Sequence, residues 1–315
     1  MSFSMDVKNE LSRLEDNNLE SKKFLLMGLL RTGLVLRSYK KEKRLVFITE
    51  NAALSRHLFS LVKEISQNSP GVVMLKTRRF RTHTIYGIDF TKLIRNDTHG
   101  MLKSMGISLS PEGDALSYEP IFIKSRTHKR AYIRGCFLAT GSISDPDKSY
   151  HLEITFANHM LTEEFIDFLK DFDIQARQIM RKGYYLAYLK EGQEIVDFLN
   201  VVGAHSSLMD LENIRILKDM RNQVNRIVNC ETANLEKTVK AAYRQVENIK
   251  YINDHLGLDK LPKSLHDIAF LRLENPDISL TELGRLLTPP LSKSGVNHRL
   301  RKLDKIAEDL MKKQN

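Results

Sequence analysis

Polar side chains able to hydrogen-bond to DNA recur at helical spacing near the end of the chain. Lys293, Asn297 and Arg301 follow one another at intervals of four residues, so an α-helix would place them on one face. Arginine and asparagine pair bidentately with guanine and adenine edges, and lysine, serine and a helix N-terminus suit phosphates. The predicted chemistry is therefore recognition, not bond cleavage. The candidate contacts in this region are Ser279, Thr281, Ser292, Lys293, Ser294, Asn297, His298, Arg299, Arg301 and Lys302.

Three short helices must hold this face in place. The first begins at Ser264 and stops at Asn275, because the residue before a proline disfavours helical backbone. The second begins at Ser279, where Glu282 three residues later completes a capping box. Ser292 caps the third. Three capped helices with a polar last helix predict a helix-turn-helix, whose final helix enters the major groove of DNA.

The alternative is a solvated surface on a C-terminal helical bundle, since any surface helix carries polar residues. Between residues 288 and 305 the chain has five lysines or arginines and one acidic residue. A solvated helix face usually alternates positive and negative charges. The unbalanced charge favours DNA binding over the solvated surface.

The composition agrees with a polyanionic partner. The 315 residues carry a formal charge of +10 and a pI of about 9.4, which favours double-stranded DNA, and no apolar run is long enough to span a membrane. Two cysteines far apart in sequence fit a reducing compartment. The ten histidines lack metal-ligand spacing, so neither a metal nor another cofactor is expected. We expect a cytoplasmic, nucleoid-associated protein.

An internal repeat organises the first two thirds of the chain. Gly28 matches Gly135 and Asn51 matches Asn158, each at an offset of 107 residues. The pattern in each half predicts the order αββαββα. The paired glycines let two helices approach closely, so the halves would form a saddle around a pseudo-two-fold axis. Two unrelated α+β segments, the alternative, would not share this offset.

The chain is therefore predicted to be α+β, a duplicated αββαββα saddle followed by an all-α helix-turn-helix domain. An amphipathic N-terminal helix at 1–21, not a signal peptide, comes first. The duplicated domain at 22–205 follows, with repeats at about 22–106 and 129–205. A helical connector at 206–258 leads to the helix-turn-helix domain at 259–315.

The connector contains asparagines that are unusual within a helix. Two interpretations stay open for them: these amides cap and bend the joint between the domains, or they contact nucleic acid. The asparagines are Asn222, Asn225, Asn229 and Asn234.

Basic residues outside the C-terminal domain form a second set of candidate DNA contacts. Lys76 and Arg78 would share one strand face, taken as the DNA side of the saddle, and residues 124–134 are interpreted as a cationic linker between the repeats. Such charges equally keep a β surface soluble, and that alternative stays open. The candidates on the saddle and connector are Lys76, Arg78, Arg79, Arg81, Arg126, Lys129, Arg130, Arg221, Asn225 and Arg226.

Residues 132–142 (YIRGCFLATGS) resemble the LAGLIDADG helix of homing endonucleases, and residues 24–33 (FLLMGLLRTG) are a weaker copy. The resemblance implies an acidic metal ligand at the end of each helix in active enzymes. Thr140 and Gly33 occupy those positions here, with Arg31 at an earlier acidic position. Since these residues cannot hold Mg²⁺, we predict no catalytic residues, no metal site and no DNA cleavage.

The chain as a whole resembles the WhiA family, a degenerate LAGLIDADG-like domain joined to a helix-turn-helix. Residues 221–234 (RNQVNRIVNCETAN) and 279–303 carry the resemblance most specifically. It implies transcription regulation linked to sporulation, cell division or chromosome segregation, with another transcription regulator or a sigma factor as a further partner. Two alternatives stay open: a nucleoid-associated or partner-recruiting scaffold, and, less favoured, an active endonuclease.

Overall fold

The computed structural model describes residues 2–39, 42–67, 69–77, 83–92, 100–110 and 114–314. The chain divides into two compact units, Met1–Lys218 and Asp219–Asn315. No helix in the described ranges combines the length and apolar character needed to cross a membrane.

The first unit begins with the N-terminal helix and the first repeat. Its sheet is antiparallel with the strand order β1-β2-β4-β3, and β5 and β6 form a separate hairpin. The elements are α1 (Phe3–Leu11), α2 (Leu19–Gly33), β1 (Leu34–Tyr39), β2 (Glu42–Thr49), α3 (Ala52–Ser66), β3 (Gly71–Thr77), β4 (His83–Asp89), α4 (Met101–Ser104), β5 (Ile107–Leu109) and β6 (Leu116–Tyr118).

The second repeat has the same topology, with the strand order β7-β8-β10-β9. This shared order confirms the predicted duplication and the α+β fold class. The elements are α5 (Arg126–Thr140), β7 (Ser142–Ile143), β8 (Leu152–Phe156), α6 (His159–Lys170), β9 (Arg177–Arg181), β10 (Tyr184–Leu189) and α7 (Gly192–Val202).

The matched asparagines begin equivalent helices in the two repeats. The side-chain oxygen of Asn51 accepts a hydrogen bond from the Leu54 amide at 2.9 Å, and that of Asn158 accepts one from the Leu161 amide at 3.0 Å. Each bond satisfies an amide that would have no partner in the first turn. The sequence repeat at these positions is therefore a repeat of helix caps.

The matched glycines lie where α2 and α5 touch through their backbones. A Cβ atom on Gly28 would stand 2.2 Å from the Tyr132 carbonyl oxygen, and one on Gly135 would stand 2.3 Å from the Leu25 carbonyl oxygen. No side chain fits in such a gap, so both positions require glycine. The α2–α5 pair is the centre of the first unit's core.

A buried charge network ties the repeats together beside these glycines. The Arg31 guanidinium donates to both Glu164 carboxylate oxygens, at 3.1 and 3.0 Å, and to the Met105 carbonyl at 3.0 Å. The Tyr132 hydroxyl donates to Glu164 at 2.7 Å. The Arg31 side chain is fully buried and that of Glu164 is 8% exposed. Arg31 thus stabilises contacts between the repeats.

One helix, α8 (His205–His255), spans 51 residues. Its N-terminus is held by the Glu10 carboxylate, which accepts hydrogen bonds from the Ser206 and Ser207 amides at 2.8 and 3.0 Å. The helix runs without interruption through Asn222 and Asn229, so the interpretation that these asparagines cap helix ends there is wrong.

The second unit packs the end of α8 against three helices. Ile249 and Ile252 of α8 are fully buried in its core. After a 3₁₀ turn at Leu258–Lys260, the helices are α9 (Lys263–Glu274), α10 (Leu280–Leu286) and α11 (Lys293–Gln314).

Candidate nucleic-acid interface

Helix α11 is fixed by an apolar face that packs against α9 and α10. Val296, Leu300, Leu303 and Ala307 are each at most 1% exposed, and they recur at spacings of three and four residues. Because this face is held by four buried side chains, the rotation of α11 about its axis is set, and so is the direction of its polar face.

A tight turn joins α10 to α11. The Leu291 amide donates to the Gly284 carbonyl oxygen at 2.9 Å, and a Cβ atom on Gly284 would stand 2.3 Å from the Leu291 carbonyl oxygen. Glycine at 284 therefore allows the turn to return directly over α10, the arrangement that a helix-turn-helix needs.

The predicted caps are present at both helix starts. Ser279 accepts the Glu282 amide at 3.3 Å while Glu282 accepts the Ser279 amide at 2.9 Å, a reciprocal capping box. The Ser279 N–H lowers the pKa of the Glu282 carboxyl below its ordinary value. Ser292 accepts the Gly295 amide at 3.3 Å. The hydroxyl oxygen of each serine therefore accepts a hydrogen bond from a backbone amide in the first turn of its helix.

The side of α11 opposite its apolar face carries the outward face, defined here as Ser294, His298, Arg301 and Lys305. At about 100° per residue these four side chains fall within an arc of about 60°. All four are exposed. Lys305 was not among the predicted contacts, although its position four residues after Arg301 indicates it.

The predicted trio Lys293, Asn297 and Arg301 lies along one edge of the outward face. Lys293 and Arg301 are exposed, whereas Asn297 is half-buried. Lys302 is exposed at the other edge. Arg299 differs, because its guanidinium donates to the Ser264 carbonyl at 3.1 Å within the domain. On α10, Ser279 and Thr281 are exposed.

A buried arginine that the sequence pattern did not reveal braces the domain. Arg272 is 2% exposed, and its guanidinium donates to Gln245 of α8 at 3.1 Å and to the Ile278 carbonyl before α10 at 2.8 Å. Asp304 of α11 accepts a hydrogen bond from Asn248 of α8 at 2.8 Å. These contacts join the end of α8 to the helix-turn-helix.

Four saddle candidates belong to the first repeat, and most of them are not among the described residues. Arg78, Arg79 and Arg81 lie outside the described residues. Lys76 belongs to β3, and its backbone pairs with Thr84.

The predicted linker at 124–134 is instead largely helix, since α5 begins at Arg126. Its cations contact α6 and the segment after it. Arg126 donates to the Asp171 carbonyl at 2.6 Å and lies over the Phe172 ring, Lys129 forms an ion pair with Asp171, and Arg130 also lies over Phe172. Arg126 and Arg130 keep exposed surface while holding the second repeat together.

The second sheet has a basic open face that sequence reasoning missed. Arg177, Ile179 and Arg181 alternate on β9, whose five residues are all exposed, and their partners on β10 include Tyr184 and Tyr188. An Arg-x-Ile-x-Arg strand at a sheet edge was the available signal. On the connector, Arg221, Asn225 and Arg226 are exposed on α8.

Gly33 and Thr140, the positions at which the resemblance implied acidic metal ligands, make other contacts in this structure. A Cβ atom on Gly33 would stand 2.3 Å from the Phe47 ring, and the Thr140 hydroxyl donates to the Thr155 carbonyl at 2.7 Å. Burial raises the pKa of the nearby Cys136 thiol to about 12. Within the described part of the chain, no cluster of His, Cys, Asp or Glu could hold a metal ion.

A duplicated LAGLIDADG-like unit followed by a helix-turn-helix defines the class of protein. The WhiA N-terminal LAGLIDADG-like domain matches residues 19–108, the WhiA LAGLIDADG-like domain matches 129–221, and the WhiA C-terminal HTH domain matches 224–307. The chain belongs to the WhiA family, as its sequence motifs indicated.

Its relatives match over their whole length. A "Probable cell division protein WhiA" from Ruminiclostridium cellulolyticum is 47% identical over 312 residues, which cover 99% of each chain. A protein of the same name from Clostridium tetani is 43% identical over 324 residues and covers 100% of each. The crystal structure of full-length DUF199/WhiA from Thermatoga maritima covers 98% of this chain and 99% of its own, with 27% identity and a TM-score of 0.57.

Proposed function

We propose that the chain is a DNA-binding transcriptional regulator in cell division, acting without cleaving DNA. The observation that carries the proposal is the outward face of α11, which presents Arg301 and Lys305 with no acidic side chain among its four members. A positively charged helix face beyond a tight turn fits the major groove. The printed names of the relatives supply the link to cell division.

Each side chain has a distinct role in this proposal. Arg301 and Asn297 read base edges, because both residue types form bidentate pairs with bases. Lys293, Lys305 and the N-terminus of α11 contact phosphates. The exposed N-terminus of α10, with Ser279 and Thr281, contacts the phosphate backbone alongside. We further propose that the protein is located at the nucleoid and acts in chromosome segregation or sporulation.

Binding of the full chain to a selected duplex and to random duplex tests the proposal. Arg301→Ala should weaken specific binding by roughly 10- to 100-fold, the value of one bidentate contact, and random binding far less. Lys313→Ala removes an exposed cation from the end of the same helix, about 60° outside the arc of the outward face, and is the matched control. Equal losses of affinity for the two duplexes would show that Arg301 does not recognise bases.

Absence of cleavage is the second part of the proposal. It is supported by the Phe47 ring against Gly33 and by the bonded hydroxyl of Thr140, which leave neither position a carboxylate for a hard cation. Supercoiled plasmid incubated with stoichiometric protein and Mg²⁺ or Mn²⁺ should stay intact. Nicking that depends on the metal ion would refute this part.

The open face of β9 supports a second candidate function, a scaffold. Its exposed Arg177, Ile179 and Arg181 could grip DNA without sequence preference or recruit another regulator or a sigma factor. A chain ending before Leu265 would retain this face and lose the helix-turn-helix. Full cellular activity of that truncation would favour the scaffold over the base-reading regulator.

A further inference from the structure

Strand β9 is an edge strand of the second sheet that is uncovered on both of its faces. It lies at the end of the order β7-β8-β10-β9, and within the described residues only β10 pairs with it. Ile179 and Met180 point to opposite faces by strand alternation, and they are 53% and 64% exposed. Large apolar side chains on an open sheet edge form a template for pairing with another strand.

The turn after β9 fixes which of its backbone groups point outward. The two-residue loop 182–183 has φ angles of 54° and 82°, as in a type I′ hairpin, so Arg181 and Tyr184 form the hydrogen-bonded pair that closes the loop. Hydrogen-bonded and non-hydrogen-bonded pairs alternate along an antiparallel ladder. The N–H and C=O groups of Gln178 and Met180 therefore point away from β10.

We propose that β9 binds an extended segment of a partner protein as a fifth strand, with acidic, apolar and acidic residues at alternate positions of that segment. Gln178 and Met180 supply the backbone hydrogen bonds of strand addition. Residues directly opposite each other share a face, so the apolar residue contacts Ile179 and the acidic residues contact Arg177 and Arg181. The proposal rests on the scaffold candidate and not on DNA recognition by α11, so either can fail alone.

The charges of the hairpin select an acidic segment from a different protein. The chain has no acidic residue from 174 to 190, and among the described residues neither Arg177 nor Arg181 has an ion-pair partner. A second copy of β9 is disfavoured. The antiparallel register that pairs all five residues of two β9 strands would place Arg177 of each copy beside Arg181 of the other, and like charges directly opposite destabilise a sheet.

Nucleic acid is the other polyanion that these arginines would attract. It would contact the side chains of Arg177 and Arg181 on the open face. The exposed Met180 side chain on the opposite face and the outward backbone groups would then have no partner. An added strand uses both faces and the backbone edge, so the exposure of β9 favours a strand.

Fluorescence polarisation of the full chain with labelled synthetic peptides tests the charge pattern. The probe Thr-Glu-Thr-Val-Thr-Glu-Thr should show saturable binding at submillimolar concentrations. Replacing both of its glutamates by lysine should weaken binding by roughly tenfold or more, because two exposed ion pairs become repulsions. A variant with both Arg177→Glu and Arg181→Glu should prefer the lysine peptide.

Proline and N-methyl substitutions test the backbone contacts. Met180→Pro removes an outward N–H without breaking the ladder to β10, a place where edge strands tolerate proline, and it should abolish peptide binding. Met180→Ala keeps the N–H and is the matched control. Methylating the amides of the two threonines beside the valine should abolish binding, whereas methylating the valine amide should not. Affinity for DNA should be the same in all these variants.

Several results would overturn the proposal. They are absence of saturable peptide binding, equal affinity for the glutamate and lysine peptides, and equal losses from Met180→Pro and Met180→Ala. Random single-stranded or duplex DNA whose affinity falls with Arg177→Glu but not with Met180→Pro, without peptide binding, would assign the face to nucleic acid. A dimer in sedimentation equilibrium that Met180→Pro dissociates would assign the edge to a second copy.

Discussion

The paired helices α2 and α5 differ from the last helix α11 in what they present. The first two pack through their backbones, whereas α11 exposes a cationic face. Helices α2 and α5 contribute the glycines of their close packing, and at their ends Gly33 lies against the Phe47 ring and the Thr140 hydroxyl donates to the Thr155 carbonyl. In α11 a buried apolar face and an exposed cationic face coexist on one helix. The comparison supports the proposal that the LAGLIDADG-like core is structural and that recognition belongs to the helix-turn-helix.

The prediction with the largest expected effect concerns Glu164, the buried carboxylate that pairs with Arg31 of α2. Glu164→Ala would leave the Arg31 guanidinium buried without its counter-ion, so we expect a loss of about 3–5 kcal/mol in unfolding free energy. Glu163→Ala, one residue away on α6, removes an exposed carboxylate and should cost less than about 1 kcal/mol. Chemical denaturation measures both. If Glu164→Ala cost as little unfolding free energy as Glu163→Ala, the ion pair between Arg31 and Glu164 would not contribute to stability.

Glycine-to-alanine substitutions sharpen the comparison at the backbone. Gly135→Ala should destabilise the first unit by about 1–3 kcal/mol or more, because its Cβ would stand 2.3 Å from the Leu25 carbonyl oxygen. Gly295→Ala in α11 meets no atom closer than 3.4 Å and should stabilise that helix by about 0.5–1 kcal/mol. Thermal unfolding followed by circular dichroism distinguishes them. If Gly135→Ala were neutral, the tight α2–α5 packing would be refuted.

The phosphate role of Lys305 predicts a smaller effect. Lys305→Ala should weaken binding to all duplexes alike and reduce the magnitude of the log–log salt slope by about 0.9. The measurement is affinity across a salt series, with Lys313→Ala as the reference. An unchanged slope would exclude Lys305 from the phosphate contacts.

The smallest effect concerns the capping box of α10. The folded-state pKa of Glu282 is depressed, so its contribution to stability is present above the ordinary value of 4.5 and is lost as pH falls through the lower folded value. The stability advantage of the wild-type chain over Glu282→Gln should therefore shrink below pH 4.5. An advantage that grows with acidity would contradict the cap as described.

The sequence predicted features that depend on local geometry or on a repeated offset. The caps at Asn51, Asn158 and Ser279 and the duplicated sheet order belong to this group, since each depends on short spacings. The first turns of α5 were interpreted as part of a cationic linker, whereas they pack against α6 and the residues after it.

The features that sequence did not predict depend on distant partners. Arg272 becomes a buried brace only because Gln245 and the Ile278 carbonyl meet it, and Arg299 turns inward to Ser264. The outward face was displaced from the predicted trio because the apolar face of α11, fixed by its neighbours, sets which side points away. Helical spacing alone groups residues but does not choose among the groups.

Chromatin immunoprecipitation tests the central claim most directly, that the polar side of α11 reads DNA sequence. The tagged wild-type chain is compared with a Lys293→Ala, Asn297→Ala, Arg301→Ala triple variant at equal expression. The account predicts sharp wild-type peaks over a shared short sequence and their loss in the variant. Broad enrichment that survives the variant would contradict it and assign DNA binding to the duplicated domain.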